Sequence, residues 1–261
     1  MSRPRASIVV PSFNQARYIG ETLRSLVEQR DLRPGELEII VIDGGSTDGS
    51  VDVIRQFAPK LSFWVSERDR GQCHALRKGF DRASGDIQGW LCSDDLLEPY
   101  AVRQAIDLFD SRPSMRFCFG DALWIDDSGR VIRRKRSLPF NWFVWKYDHN
   151  YIQQPSAFWR SDLYSEVGGL NERYDLAMDA DLFARFAAVT KPVHVRRIWS
   201  RARWYENQKT QARRAEGIEE FREICRRHGA KIDNPVAYAA ASATAKTLRV
   251  AWKLAAGCYL P

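Results

Sequence analysis

Over its first 120 residues the chain alternates short apolar runs with amphipathic stretches, and this rhythm constrains the fold more than any other feature. Ser7–Pro11, Glu38–Asp43, Leu61–Ser66, Asp86–Leu91 and Arg116–Gly120 read as strands. An apolar run of this length, bounded by turn residues, suits a strand covered on both faces. Between them, Tyr18–Gln29, Ser50–Phe57, Cys73–Ala83 and the stretch from Pro99 to Asp110 carry apolar residues at helical spacing. Pro99 suits a first helical turn, where its missing N–H costs nothing. Such alternation predicts an α/β fold: a Rossmann-like, mostly parallel central sheet with helices on both faces. Ligands of such sheets bind beyond the C-terminal ends of the strands.

After Ala122–Ile125 and an Asp127-Ser-Gly129 turn the pattern loosens. Phe140–Tyr151 is rich in aromatics and poor in charge, and is assigned to core in preference to a sugar-stacking platform. Ala157–Arg160 and Val193–Ile198 read as strands, and Ser161–Val167, Met178–Val189, Asn207–His228 and 236–257 as helices. The predicted organisation is a domain over 1–205, with a nucleotide-binding half at 1–120 and an acceptor half at 121–205. Residues 206–261 form a C-terminal helical appendage.

Composition narrows the setting. No apolar run approaches the ~20 residues that span a bilayer, and Met1-Ser-Arg-Pro-Arg5 leads into a strand without a signal-peptide pattern. The five cysteines are scattered and lack Cys-x-x-Cys spacing, which argues against a disulfide framework or zinc site and for a reducing cytoplasm. The net charge of +7 calls for anionic partners. Residues 191–231 hold twelve Lys or Arg against five Glu, and Arg133-Arg134-Lys135-Arg136 forms a second cluster.

Three strand ends carry the chemistry: Pro11-Ser-Phe-Asn14, Asp43-Gly-Gly-Ser-Thr-Asp-Gly-Ser50, and Cys92-Ser-Asp-Asp95. A carboxylate just past a buried strand is costly unless it binds something. A dinucleotide-binding dehydrogenase would need Gly-x-Gly-x-x-Gly after its first strand, and a P-loop enzyme Gly-x-x-x-x-Gly-Lys-Ser/Thr; neither occurs. Phosphates would then need a different counter-charge, and a hard divalent cation, Mn²⁺ or Mg²⁺, on Asp95 supplies it.

The segments Ser7–Asn14, Ile42–Ser50, Gly85-Asp-Ile with Ser93-Asp-Asp95, and Met178-Asp-Ala-Asp-Leu182 resemble, in order, the family 2 glycosyltransferases of GT-A fold. The resemblance implies an inverting, metal-dependent glycosyltransferase. The loop of Pro11, Phe13 and Asn14 would bind the nucleotide base with Asp43, which accepts a hydrogen bond from it. Ser93 and Asp94 would lie near the ribose and Asp95 on the cation. Gly71, Gln72 and Arg77 belong to segments that flank the nucleotide and donor sugar, and Asp179 takes the place of the catalytic base. The implied donor is a nucleotide-diphosphate sugar, UDP-linked before dTDP or GDP. The acceptor is a saccharide or a lipid-linked hydroxyl in surface polysaccharide or glycolipid synthesis, and nucleic acid is not a partner.

Two departures matter. Met178 replaces the usual acidic residue before the base. Ser200-Arg-Ala-Arg-Trp204 keeps only half of the Gln-x-x-Arg-Trp motif of processive synthases, which favours single addition. Asp181 lies two residues beyond Asp179 on one helix, about 200° away around the axis, so only one of them can face a cleft. His194 is assigned to packing. A sugar-phosphate nucleotidyltransferase and a non-catalytic nucleotide- or nucleic-acid-binding protein are the alternatives; the first lacks its Gly-rich loop, and the second leaves the carboxylates unexplained. The basic 191–231 region and the 236–257 helix predict docking at the cytoplasmic face of an anionic membrane.

Overall fold

The computed structural model describes residues 3–206 and 208–258. Its elements are β1 (Ala6–Ser12), α1 (Ile19–Val27), β2 (Leu37–Asp43), α2 (Ser50–Phe57), β3 (Phe63–Ser66), α3 (Gln72–Arg82), β4 (Ile87–Trp90) and β5 (Leu96–Leu97). They continue with α4 (Ala101–Ser111), β6 (Phe117–Ile125), β7 (Val131–Lys135), α5 (Trp142–Tyr147), β8 (Ala157–Arg160), α6 (Ser161–Glu166) and α7 (Met178–Val189). The last are β9 (Val193–Arg203), α8 (Lys209–Ala212), α9 (Arg214–Arg227) and α10 (Pro235–Ala255). The strands form one sheet in the order β3-β2-β1-β4-β8-β6-β9-β5, with β7 on β6. The β3-β2-β1-β4 half is parallel, as the alternation predicts. β8 joins β4 and β6 antiparallel, and β6 and β9 run parallel.

Strand period and core agree residue by residue. Val9, Ile40, Ile42, Phe117 and Phe119 face one apolar layer, built with Leu76 and Phe80 of α3, Phe183 and Phe186 of α7, and Trp159. Their neighbours Ile8, Val10, Ile39, Val41 and Cys118 face the other, with Leu23 of α1, Ile54 of α2, and Ile106 and Phe109 of α4. The two-residue period of a strand sends successive side chains to opposite faces, so runs without polar residues are required here. Trp145, Tyr147 and Tyr151 of the aromatic segment are buried in the first layer, as assigned.

Three sequence expectations change. The predicted break at Gly120 is an irregularity inside β6: a Cβ there would lie 2.9 Å from the Arg197 carbonyl oxygen and the Trp199 ring. β9 continues five residues past Ile198, because Ala122–Ile125 supply a parallel partner for Ser200–Arg203. The helix expected over Asn207–His228 is split into α8 and α9 at Arg213, and Asn207 lies outside the described residues. Nor does the chain beyond residue 205 stand apart from the domain: Ile224, Cys225, Ala230 and Ala245 complete the first core layer.

Helix α3 sits directly on β1 at Gly79, where a Cβ would come within 2.3 Å of Val9 Cγ1. Val9 is stiff and wholly buried, so the helix must lift. Gly79→Ala should therefore lose about 1–3 kcal/mol in urea unfolding despite the better helix propensity of alanine. A variant as stable as the parent would show that the contact is slack.

Candidate functional site

At the C-terminal edge of the parallel half lies a cleft of about 830 Å³. β1 contributes Pro11 and Ser12 and the turn after it Phe13; the end of β4 contributes Trp90, Cys92, Ser93, Asp94 and Asp95. Asp69 to Gln72 line it ahead of α3, Met178 and Asp179 from the start of α7, and Tyr205, Gln208, Lys209 and Thr210 from the chain after β9. Phe13 is 60% exposed at the rim, an aromatic face available for stacking. Ser12 Oγ is buried without a protein partner, a cost that a ligand hydrogen bond removes.

Asp94 and Asp95 are buried side by side, with oxygens and the Cys92 sulfur within 4.8 Å of one another. Burial raises the Asp94 carboxyl, against a 3.0 Å hydrogen bond from Tyr205 Oη. Burial and then the charge of Asp94 push Asp95 well above the usual carboxylate range. Asp95 Oδ1 accepts the Arg203 backbone N–H at 2.8 Å.

The Arg203 guanidinium is 1% exposed but does not pair with either carboxylate. Nε donates to the Asp94 carbonyl, Nη1 to the carbonyls of Asp126 and Asp127, and Nη2 to Glu21 on α1. Thr22 Oγ1 of α1 donates to the Asp95 carbonyl at 2.8 Å. The pair is thus held rigidly by its backbone while its charge lacks a direct counter-ion among the described residues. Two converging hard oxygen donors suit Mg²⁺ or Mn²⁺. Cys92 does not suit them: its thiol is held protonated by burial, between Gln72 and Gln154.

Across the cleft, Asp179 Oδ2 accepts from Asn150 Nδ2 at 3.1 Å, and burial raises its carboxyl to about 6. Asp181 turns away and is buried against Arg185, which also holds the Val167 and Gly169 carbonyls. Glu220 of α9 accepts the backbone N–H groups of Asp175, Leu176 and Ala177, fixing the turn that presents Asp179. Lys209 reaches the cleft while bound to Asp175, and Arg70 does so while paired with Glu172.

Of the residues singled out in the sequence, Pro11, Phe13, Gly71, Gln72, Ser93, Asp94, Asp95 and Asp179 line the cleft. Asn14, Asp43 and Arg77 do not. Asp43 is wholly buried, and its oxygens already accept from Gly45 N, Ser46 N, Ser46 Oγ and Ser66 Oγ. It builds the loop after β2, with three of the four bonds on Oδ2 and one on Oδ1. Asn14, at φ 51°, accepts from Thr47 N, so it cross-links that loop to the one after β1. Arg77 donates to the Leu170 carbonyl and faces Glu172. Sequence reasoning missed Ser12, Gln154, Tyr205, Gln208 and Lys209. Only Tyr205 carried a signal, following Arg203-Trp204 directly.

Comparison with known proteins shows the family and the fold. Residues 7–166 match the family described as Glycosyl transferase family 2. The chain is 30% identical over 199 residues to an uncharacterized glycosyltransferase of Mycobacterium tuberculosis (strain CDC 1551 / Oshkosh), covering 75% of this chain and 73% of that one. It is 29% identical over 212 residues to a PGL/p-HBAD biosynthesis glycosyltransferase of Mycobacterium bovis (strain BCG / Pasteur 1173P2), covering 75% and 76%. Its fold is similar to S. aureus TarS 1–349 in complex with UDP (TM-score 0.66, 18% identity, 85% of this chain). The chain spans 64% of that TarS chain, short of two-thirds. The mannosyltransferase PcManGT from Pyrobaculum calidifontis, in complex with GDP-Man and Mn²⁺, is similar over 100% of this chain and 81% of its own (TM-score 0.63, 22% identity).

Arg203 generates a stability prediction. Arg203→Met leaves Glu21, three carbonyls and the buried carboxylate loop without their donor, and should cost about 3–5 kcal/mol in denaturant unfolding. A loss below 1 kcal/mol would mean that the loop is held by other groups.

Proposed function

The chain belongs to glycosyl transferase family 2, and we propose that it moves a single sugar, with inversion, from a nucleoside-diphosphate sugar to a hydroxyl of a saccharide or lipid-linked acceptor. One observation carries this reading: a single cleft brings a buried, uncompensated carboxylate pair opposite a separate carboxylate whose affinity for protons is raised. The first arrangement suits a diphosphate held through a divalent cation, the second a base for a hydroxyl. UDP is the preferred nucleotide, with dTDP and GDP as alternatives. The glycolipid pathway in the M. bovis relative's name supports a surface glycolipid or polysaccharide as product. Among the described residues no helix is long and apolar enough to cross a membrane, which suits single addition at the cytoplasmic face.

The roles follow from placement. Phe13 stacks on the base at the rim, and Ser12 Oγ and Ser93 bind the nucleoside. Asp94 and Asp95 would hold Mn²⁺ or Mg²⁺, which would neutralise charge on the departing diphosphate. Arg70 and Lys209 line the cleft as further cations, paired with Glu172 and Asp175. Asp179 takes the proton of the acceptor hydroxyl as the oxygen attacks the anomeric carbon from the face opposite the diphosphate. Inversion follows from that single displacement. Asp181 stays with Arg185 and serves only the helix.

A base must be ionised to work. With Asp179 near 6, kcat/KM should fall about tenfold per pH unit below 6 and level off above it. Asp179→Asn should lower transfer about 10²–10⁴-fold and abolish that acidic limb while leaving donor affinity unchanged. Loss of donor binding together with activity would assign Asp179 to the donor instead.

The nucleotide half is tested by thermal shift with UDP, dTDP and GDP, with and without Mn²⁺. Saturation at 100 times Kd adds about 2.7 kcal/mol of stability, so one nucleotide should raise the melting temperature strongly and only with metal. Asp95→Ala should remove the metal-dependent part. Equal shifts in parent and variant would overturn the cation site.

A further inference from the structure

Part of the positive charge that the sequence places in residues 191–231 is paired in the fold. Along α9 and its approach, Arg213 pairs with Asp175 and Glu216, Arg222 with Glu219, Arg226 with Asp233, and Arg227 with Glu223. A different region carries positive charge with little relief. Residues 128–138 and 234–258 hold eight Lys or Arg and no Asp or Glu, and the fold brings them together. Arg136 Nη1 donates to the Gly257 carbonyl and fastens the end of α10 beside β7.

Arg133, Lys135, Arg249 and Lys253 crowd one another here. Burial, then Arg133, Lys253 and Arg249, push the Lys135 ammonium down to about 8, and Lys253 is lowered for similar reasons. Arg249 is paired with Asp148. Asp121, the carboxylate felt by Lys253, is already taken by His194 and Ser137 N. Lys135 Nζ lies 3.9 Å over the Trp124 ring, an aromatic stand-in for an anion.

Apolar surface surrounds this charge. α10 meets the body through Tyr238, Ala241 and Ala245, and leaves Leu248, Val250, Trp252 and Leu254 exposed, Leu254 at 63%. At 100° per residue, Lys246, Val250, Lys253 and Leu254 fall within about 100° of one another and form one outer face, whereas Leu248 and Trp252 lie on the side of Ala241 and Ala245. Val131 and Ile132 are half exposed on β7, an edge strand. The patch also continues to the cleft: Trp124 stacks on Trp204 at 4.4 Å, and Trp204 adjoins the cleft residue Tyr205.

We infer that the outer edge of β7 and the exposed face of α10 form one docking surface for an anionic lipid bilayer, with Arg133, Arg134, Lys246 and Lys253 at the headgroups and Val250 and Leu254 at the acyl boundary. A bilayer is the occupant that fits, because clustered cations without acidic neighbours match its charge and an apolar helical face matches its interior. The inference rests on the lipid-linked acceptor proposed above for its purpose: the surface sets the cleft mouth at the membrane where that acceptor is presented.

The test is co-sedimentation of the full chain with phosphatidylcholine vesicles, with and without phosphatidylglycerol, and without any sugar donor. Binding should require phosphatidylglycerol and weaken with added salt. Arg133→Gln with Arg134→Gln should lower partitioning about 25-fold, near fivefold per charge. Val250→Ala with Leu254→Ala should also weaken it, whereas Arg222→Gln with Arg226→Gln on α9 should not. A parent chain that ignores anionic vesicles, or a β7 variant that binds like the parent, overturns the inference. So does a dimer in sedimentation velocity that the Val250/Leu254 variant abolishes. Melting shifts with UDP and Mn²⁺, run on each variant, separate the two readings. Vesicle binding lost with donor binding intact removes the docking surface alone, and the reverse removes the donor site alone.

Discussion

The buried guanidinium of Arg203 is the constraint on which the site depends. It is wholly enclosed and spends its donors on three carbonyls and one distant glutamate, so it organises backbone and leaves the adjacent carboxylate charge intact. That division is physically apt. An arginine forked onto Asp94 or Asp95 would neutralise the pair and weaken its pull on a cation. Holding the loop by its main chain, with Thr22 beneath it, keeps the oxygens in place and their charge available. Arginine suits this work, since its planar donors address several directions and stay protonated when buried.

The opposite wall is fixed by the same logic with the charge reversed. The carboxylate of Glu220 gathers three backbone N–H groups ahead of α7, satisfying donors that a helix start leaves open. Asp179 therefore projects from a turn whose geometry is set by α9. The two walls are anchored by different parts of the chain, α1 and β9 on one side and α9 on the other. The segment expected to be an appendage is a structural member of the cleft, which Gln208 and Lys209 line.

How much of this was legible in the sequence depended on how local the signal was. The parallel half could be read because each buried strand is a short apolar run whose period needs no partner to be recognised. Asp179 stood out through the resemblance carried by Met178-Asp-Ala-Asp-Leu182, and Asp94 and Asp95 because acids just past a buried strand are costly unless used. Asp43 stood out for the same reason, yet its use is internal: Ser46 and Ser66 consume it, and no local pattern distinguishes a loop-building carboxylate from a ligand-binding one. The full length of β9 was hidden because its last residues have no apolar rhythm and are ordered only by β6. The pairing within the basic stretch was hidden for a related reason. Charge counted along the sequence includes the α9 arginines, whose partners are specified only by helical spacing and tertiary packing.

The tie between Arg203 and Glu21 spans 182 positions, and this separation sets the order in which the molecule can mature. Strands β1 to β4 emerge early from the ribosome and can pair among themselves, but the loop carrying Asp94 and Asp95 then lacks its main-chain clamp. The clamp arrives only when β9 inserts beside β6, late in synthesis. A nascent or truncated chain that has formed its parallel half still lacks the contacts that fix the Asp94–Asp95 loop. Competence appears in one late step, when the last strand closes the sheet.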